Sequence, residues 1–377
     1  MRIGIDARSI GNKVCGVSRV AKCLIEALGK YDTEYEYIVY LDSMEELDVG
    51  SNFSLKPTNC SRKNPVHDAK LYSIIKKDDL DLYHAFHSWL PEFLSLQIKK
   101  VVTIHDLFSV TDPHFFDKYK PFHGFAKLYF KYLTDRSIRA AAAVVTVSNY
   151  CKGELIKHFH VLDEKIHVIY NARGIPDHPS SKAAGNKWQS INGKYLLYVG
   201  NCRSYKNTDV LIKGFHHFIN RNKKSEINLI ITGNDIYDVL KDQVRELGIA
   251  ARVSFLTNLQ DNEIRDLYIQ ALAFIMPSKY EGFGIPVLEA MSFGAPVIIS
   301  DADALVEVAG GAALVFQKNK PEDLASAIEK IVSDNELRHK LIESGFNRSK
   351  DFTWESSAHK LAELYHKILN KKEISGT

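Results

Sequence analysis

Two glutamates with seven residues between them, Glu281 and Glu289, bracket the run Gly-Phe-Gly-Ile-Pro-Val-Leu, where an apolar strand end passes through a glycine-containing turn into a helix. Gly282 and Gly284 let backbone approach a ligand closely, and Pro286 suits a first helical turn, where a missing N–H costs nothing. The free N–H groups of that turn and the positive end of the helix dipole form an anion site. A carboxylate cannot hold a diphosphate, but it can accept two hydroxyl hydrogen bonds, the usual grip on a sugar or a ribose. The competing reading makes Glu281 a helix cap and Glu289 a solvated helix residue.

Arg203 and Lys206, in Tyr198-Val-Gly-Asn-Cys-Arg-Ser-Tyr-Lys-Asn-Thr, put two cations in a turn after another apolar strand. Strand-end turns are the ligand edge of an open α/β sheet, and paired cations can neutralise charge building on a departing diphosphate. As ordinary loop cations they would need no such role. His105-Asp106 ends a further apolar run and reads equally as a structural hydrogen-bonded pair. His84 and His87 flank Phe86 without metal-ligand spacing. No G-x-x-x-x-G-K-[ST] and no clean G-x-G-x-x-G are present, which disfavours P-loop chemistry and a dehydrogenase.

The elements that must position these residues alternate between short apolar runs and helical segments, the signature of parallel sheets clad by helices. Strands are expected at Arg2 to Asp6, Tyr35 to Leu41, Leu82 to Ala85, Val101 to Ile104, Ala143 to Val147 and His167 to Tyr170. Val17, Val20, Leu24 and Leu28 share a helix face between the first two. A second series runs from strand Tyr195–Val199 through strands at 228–232, 253–256, 273–276, 296–300 and 313–316, with helices at 208–220, 236–247, 262–270 and 285–293. The expected fold class is α/β, two tandem doubly wound domains facing a central cleft: residues 1–174, a Pro/Gly/Ser-rich linker at 175–194, residues 195–352, and a terminal helix at 353–377 packing back on the first domain.

The length of 377 residues fits two domains at roughly 100 to 200 residues each. A net charge of +3 is too small for a dedicated nucleic-acid binder. Five dispersed cysteines without a C-x-x-C pair point to a reducing compartment, and no run of about 18 apolar residues offers a membrane span. The start Met1-Arg-Ile-Gly-Ile-Asp-Ala-Arg is too charged for a signal-peptide core, so a cytoplasmic location is expected, with peripheral contact at the inner face of the plasma membrane left open.

Taken together, Glu281 to Glu289, Arg203-x-x-Lys-Asn, Thr103-Ile-His-Asp-Leu, Ile3-Gly-Ile-Asp-Ala-Arg, Thr146-Val-Ser-Asn, Val168-Ile-Tyr-Asn and the Trp354 helix resemble the retaining GT-B glycosyltransferases of family 4, in particular their bacterial mannosyltransferase-like branch. The resemblance implies that Glu281 holds donor-sugar hydroxyls, that backbone around Phe283, Gly284 and Ile285 meets sugar and phosphate, and that Glu289 holds the ribose. It implies that Arg203 and Lys206 stabilise the leaving diphosphate, that His105 faces the reacting sugar and acceptor, that Gly16 approaches the donor phosphates, and that Leu259 and its neighbours touch the base. The implied activity is transfer of a hexose, mannose from GDP-mannose foremost, from a nucleotide-sugar donor to a saccharide or lipid-linked acceptor in surface polysaccharide assembly. No cofactor and no metal are implied, because cationic side chains and a helix terminus can take the charge. The alternatives are glucosyl, N-acetylglucosaminyl or rhamnosyl transfer from UDP- or dTDP-sugars, an epimerase of related fold, and a non-catalytic nucleotide-sugar-binding subunit.

Many relatives carry T-G-I-G-R-Y where this chain has Cys15-Gly-Val-Ser-Arg-Val. With Ser18 in place of the second glycine, a loop needing positive φ is expected to be reshaped on its acceptor side. The stretch from Phe115 to Arg139 sets Lys118, Lys120, Lys127, Lys131, Arg136 and Arg139 among Tyr119, Phe122, Phe125, Tyr129, Phe130 and Tyr132. Helical spacing predicts that the aromatics pack in the core with the lysines toward water; a lipid surface or a lipid-linked acceptor is the competing reading.

Overall fold

The computed structural model describes residues 1–11, 16–60, 65–91, 98–112, 115, 123–175, 193–233 and 238–370. Most of the expected linker, Cys15, and Lys118, Tyr119, Lys120 and Phe122 lie outside them. The chain divides into two compact units, Met1–Ala172 with Thr353–Thr377, and Arg173–Phe352.

In the first unit β1 (Arg2–Asp6), α1 (Gly16–Tyr31), β2 (Glu36–Leu41), β3 (Phe53–Pro57), α2 (Pro65–Ile75), β4 (Leu82–Ala85), β5 (Lys99–Ile104), α3 (Phe108–Thr111), α4 (His123–Ala140), β6 (Ala143–Thr146), α5 (Asn149–Phe159) and β7 (Ile166–Val168) follow one another. Their parallel sheet runs β3-β2-β1-β4-β5-β6-β7. β4 and β6 are buried along their whole length, and so is β1 beyond Arg2, as a sheet covered on both faces requires. Strand β3 was not expected from the sequence. It buries Phe53 alone and ends Lys56-Pro57, residues that suit an edge, so it lacks the apolar run that marks the inner strands.

The second unit contains β8 (Tyr195–Val199), α6 (Thr208–Arg221), β9 (Asn228–Thr232), α7 (Asp238–Glu246), β10 (Val253–Leu256), α8 (Asp261–Gln270), β11 (Ala273–Met276), α9 (Ile285–Ser292), β12 (Val297–Ser300), α10 (Asp303–Ala309), β13 (Leu314–Phe316), α11 (Pro321–Ser333) and α12 (Asn335–Ser349). Its parallel sheet runs β10-β9-β8-β11-β12-β13. Helix α10 was missed in the sequence reading because its seven residues give only two turns of pattern before Gly310 ends it at φ 55°. Strand order in each sheet reverses direction beside its first strand, between β1 and β4 and between β8 and β11. Such switch points open a crevice beyond the carboxyl ends of the strands.

Helix α13 (Trp354–Asn370) returns to the first unit, where Ala358, Leu361, Ala362, Leu364 and Tyr365 share a core with Ile3, Ala21, Leu24 and Leu28. Tyr365 reaches the sheet itself, its hydroxyl 2.7 Å from His84 Nδ1, while His84 Nε2 lies 2.7 Å from Thr103 Oγ1.

Two expectations are corrected here. Ser18 lies inside α1 and is buried, whereas Val17 is half-buried, so residue 18 is helical and positive φ is not asked of it. The predicted core packing of the aromatics of the basic helix fails among the described residues: Phe125, Tyr129 and Tyr132 are exposed and Phe130 is half-buried, and the face α4 buries is carried by Leu133 and Ile138 instead. Periodicity says which residues share a face and leaves unsaid whether anything covers it.

Candidate active site

The switch point of the second sheet brings together the turns that follow β8 and β11. Lys279 N–H donates to Tyr205 O at 2.8 Å. Asn207, held in the left-handed region at φ 59°, donates through Nδ2 to Pro277 O at 3.0 Å and Lys318 O at 2.7 Å. These bonds stitch the Arg203–Asn207 turn to the turn carrying Glu281. Lys206 Nζ then meets Glu281 Oε1 at 2.7 Å, with both side chains almost buried. Ser278 Oγ donates to the same oxygen at 2.6 Å, and Ser278 O accepts from Ser300 Oγ at 2.5 Å. Glu281 Oε2 accepts no hydrogen bond among the described residues, so one carboxylate oxygen is committed to the protein and the other is uncommitted. Arg203 is exposed, and its guanidinium has no ion pair or hydrogen bond among the described residues.

Gly284 stands at the N-cap of α9 with φ 110°, and a Cβ there would come within 2.6 Å of Leu305 Cδ2. Glycine therefore serves both the backbone turn and the close packing against α10. Phe283 points its ring into the core against Phe352, at 5.6 Å between centroids, which leaves its backbone and that of Ile285 to face any ligand at the helix start. Glu289, one turn into α9, is only 4% exposed. Its Oε1 accepts from Gly174 N–H and its Oε2 from Tyr268 O–H, each at 3.2 Å. The reading of Glu289 as a solvated helix residue is thereby excluded. Leu259 is half-buried in the loop after β10, at the same carboxyl edge of the sheet.

In the first unit His105 follows β5 directly and is half-buried. Its Nε2 is 3.2 Å from Phe86 O, a contact that assigns the ring proton to Nε2, and Phe86 N–H in turn donates to Asp6 O at 3.2 Å. Asp106 accepts Phe108 N–H at 3.2 Å, turning the chain into α3. Gly16, the first residue of α1, is exposed, and a Cβ on it would meet nothing within 4 Å.

Sequence reasoning missed the supporting residues. Ser278 acts on Glu281 from within the same β11–α9 turn, Tyr268 and Gly174 act on Glu289 from other segments, and no local pattern marks any of them. It also assigned no role to a buried network at the first sheet's switch point. There Asp6 takes Arg8 Nε at 2.9 Å and Arg8 Nη2 at 2.8 Å, Tyr83 Oη at 2.8 Å and His87 Nε2 at 3.0 Å. Burial alone would raise the Asp6 pKa, but the charges of Arg8 and His87 and their hydrogen bonds outweigh it and hold the carboxyl well below its ordinary range. Among the described residues no three His, Cys, Asp or Glu side chains gather as a metal site.

Each unit is thus a doubly wound parallel sheet, the second with a cation–carboxylate pair at its switch point and a glycine-capped helix start beside it. Comparison with known proteins gives this arrangement its class, a GT-B glycosyltransferase. Residues 14–173 match Glycosyltransferase Family 4, and residues 186–348 match Glycosyl transferases group 1. The O-antigen chain mannosyltransferase RfbU of Salmonella typhimurium is 33% identical over 263 residues, 68% of this chain and 67% of that protein. The O-antigen chain mannosyltransferase B of Escherichia coli is 28% identical over 290 residues, 75% of this chain and 74% of that one. Among solved structures, sucrose-phosphate synthase from Thermosynechococcus elongatus superposes with TM-score 0.78 at 17% identity, covering 98% of this chain and all of that one (100%). Anabaena Alr3699/HepE in complex with UDP-glucose does so with TM-score 0.75 at 18% identity, covering 97% and 100%. At such identities the likeness is one of fold. The chain belongs to the family 4 glycosyltransferases of GT-B fold and acts in glycan biosynthesis.

Proposed function

We propose that the protein is a retaining hexosyltransferase that moves mannose from GDP-mannose to a saccharide or lipid-linked saccharide acceptor in surface polysaccharide assembly. The observation that carries this reading is the Lys206–Glu281 pair, which sets an ammonium for phosphate and a carboxylate for hydroxyls side by side at the switch point. The two O-antigen relatives support mannose as the sugar. The donor's C1–O bond to diphosphate breaks as Lys206, Arg203 and the start of α9 take up its charge. The acceptor oxygen bonds to C1 from the same face, and its proton passes to the leaving diphosphate oxygen. Glu281 Oε2 accepts sugar hydroxyls, Glu289 the ribose hydroxyls, backbone at Phe283, Gly284 and Ile285 meets sugar and phosphate, and the Leu259 loop meets the base. His105, with its ring held by Phe86 O, faces the sugar and acceptor, and Gly16 the phosphates. No metal enters this scheme.

A second reading replaces GDP-mannose by a UDP- or dTDP-sugar, supported by the UDP-glucose bound in the Anabaena neighbour's structure. A ligand that binds only the folded state raises the melting temperature, so a panel of nucleoside diphosphates and their sugars separates the two. GDP and GDP-mannose are expected to give the largest shifts; a shift with UDP or dTDP and none with GDP overturns the mannose assignment. Donor hydrolysis over the same panel excludes a purely binding subunit. Turnover is expected to persist in EDTA, and complete loss restored by Mn²⁺ or Mg²⁺ refutes the metal-free scheme.

The proposed setting is the cytoplasm, peripheral at the inner face of the plasma membrane. Cys23, Cys60, Cys151 and Cys202 form no disulfide, which supports a reducing compartment, and among the described residues no helix is long and apolar enough to cross a membrane.

A further inference from the structure

Asp6 ends β1 with its carboxylate buried, and no step of the proposed transfer uses it. Its Oδ1 accepts the backbone N–H of Arg8 at 3.2 Å and Arg8 Nε at 2.9 Å, which turns the chain after β1. Its Oδ2 does something further. Besides Arg8 Nη2, it accepts Tyr83 Oη at 2.8 Å and His87 Nε2 at 3.0 Å, from residues on either side of Phe86. The main chain completes the hold, since Asp6 O accepts Phe86 N–H at 3.2 Å. The Phe86 ring is buried and meets His84 edge-on at 4.5 Å between centroids. Farther along, Leu90 N–H donates to Ser137 Oγ at 2.8 Å, and Arg136 donates to the carbonyls of Leu90 and Pro91 at 3.2 Å each. The segment after β4 is therefore held at both ends, by Asp6 and by α4.

What this segment presents is the carbonyl of Phe86, 3.2 Å from His105 Nε2. A peptide unit is planar, so the carbonyl of Phe86 and the N–H of His87 turn together. The His87 ring on Asp6 Oδ2 limits that rotation from one side, and Phe86 N–H on Asp6 O limits it from the other. A carbonyl accepts and cannot donate, so it selects the imidazole tautomer with its proton on Nε2. The neutral ring then offers Nδ1 as an acceptor and has no second N–H to give. Where His105 faces the reacting sugar and acceptor, such a ring takes a hydrogen bond from a hydroxyl and fixes which way that hydroxyl points. His87 itself is only 2% exposed, which suits a support and not a group that touches substrate.

We propose that Asp6 is a positioning residue for His105, acting through His87 and the Phe86–His87 peptide to fix the tautomer of the ring. Its catalytic meaning rests on the proposed function, whereas the tautomer itself does not. The test is ¹⁵N NMR of the full chain labelled at histidine, without donor or acceptor, with the His105 signals identified by their loss in His105→Gln. Wild type is expected to show the Nε2–H form alone. Asp6→Asn and His87→Phe are each expected to give a mixture of tautomers. His87→Phe keeps the Asp6–Arg8 pair and an aromatic ring beside Trp89, so it reads the same bond if Asp6→Asn does not fold. His87→Gln, whose amide can donate to Asp6, is expected to restore the single form. With GDP-mannose as the probe, His87→Phe is expected to lower kcat for hydrolysis by roughly 10- to 100-fold at nearly unchanged KM, the scale of a misplaced reacting group. In a chain already carrying His105→Ala it is expected to lower kcat no further, because coupled residues do not add. Three outcomes overturn the proposal: wild type with the proton on Nδ1 or exchanging between the nitrogens, variants whose His105 signals match wild type while the melting temperature falls, or kcat losses that add in full. Wild-type turnover in His105→Ala overturns instead the placing of His105 at the sugar, and the imidazole signals then decide the positioning by themselves.

Discussion

Glu281 Oε1 accepts from both Lys206 and Ser278, so the ammonium that the proposed scheme assigns to diphosphate is already paired in the free protein. Glu281→Gln removes the charge and keeps the shape. Lys206 then has more charge to offer phosphate, so GDP affinity is expected to hold or rise severalfold by titration while sugar transfer collapses. Glu289→Gln is expected to weaken GDP as well, since a ribose contact forms with or without the sugar. The opposite pattern exchanges the two assignments. Arg203→Ala, at an exposed side chain, is expected to lower turnover by about 10²-fold with the fold intact, on the scale of one lost preorganised donor. Lys206→Ala is expected to do the same and also to lower the melting temperature, because it leaves a nearly buried carboxylate without its cation. Near-normal turnover in both variants refutes the diphosphate role.

At the scale of elements, the site depends on how the β8 and β11 turns and the start of α9 are held. Gly284 is the tightest point, with positive φ and Leu305 pressed against it. Gly284→Ala is expected to cost about 1–3 kcal/mol in strain and to weaken GDP binding, by melting and titration respectively; unchanged values for both refute the need for glycine there. The glycine turn and Pro286 were legible in the sequence because turn residues act locally. The buried grip on Glu289 was not, since Tyr268 comes from α8 and Gly174 from before β8. The start of α4 shows the same limit: its stripe could be read, and the exposure of Phe125, Leu128 and Tyr132 could not.

Over the whole molecule, α13 joins the first unit's core and closes on His84 through Tyr365. Burial, with the nearby charges of His105 and His87, pushes the His84 pKa well below its ordinary 6.5. The unfolded chain therefore binds a proton near pH 6.5 that the folded chain refuses, so this contribution to stability is whole above that pH and is lost as pH falls below it. Half-buried His167, its pKa also lowered by burial and then by Lys367 and Lys152, adds a contribution of the same sign. Melting temperature is expected to fall from pH 7 to pH 5, less steeply in His84→Gln; equal slopes remove His84 as the cause. What the chain's residue order could establish was the local part: apolar runs that become strands β8, β9 and β11, the turn between Glu281 and Glu289, and cations at a strand end. Each depends on neighbours within a few positions, where periodicity and turn chemistry operate. Which turns meet, that Lys206 is paired with Glu281, that Glu289 is buried and that α4 keeps an aromatic face exposed were decided only by tertiary packing. The partners in those contacts lie tens of residues apart, and only the order of strands in a sheet brings them together.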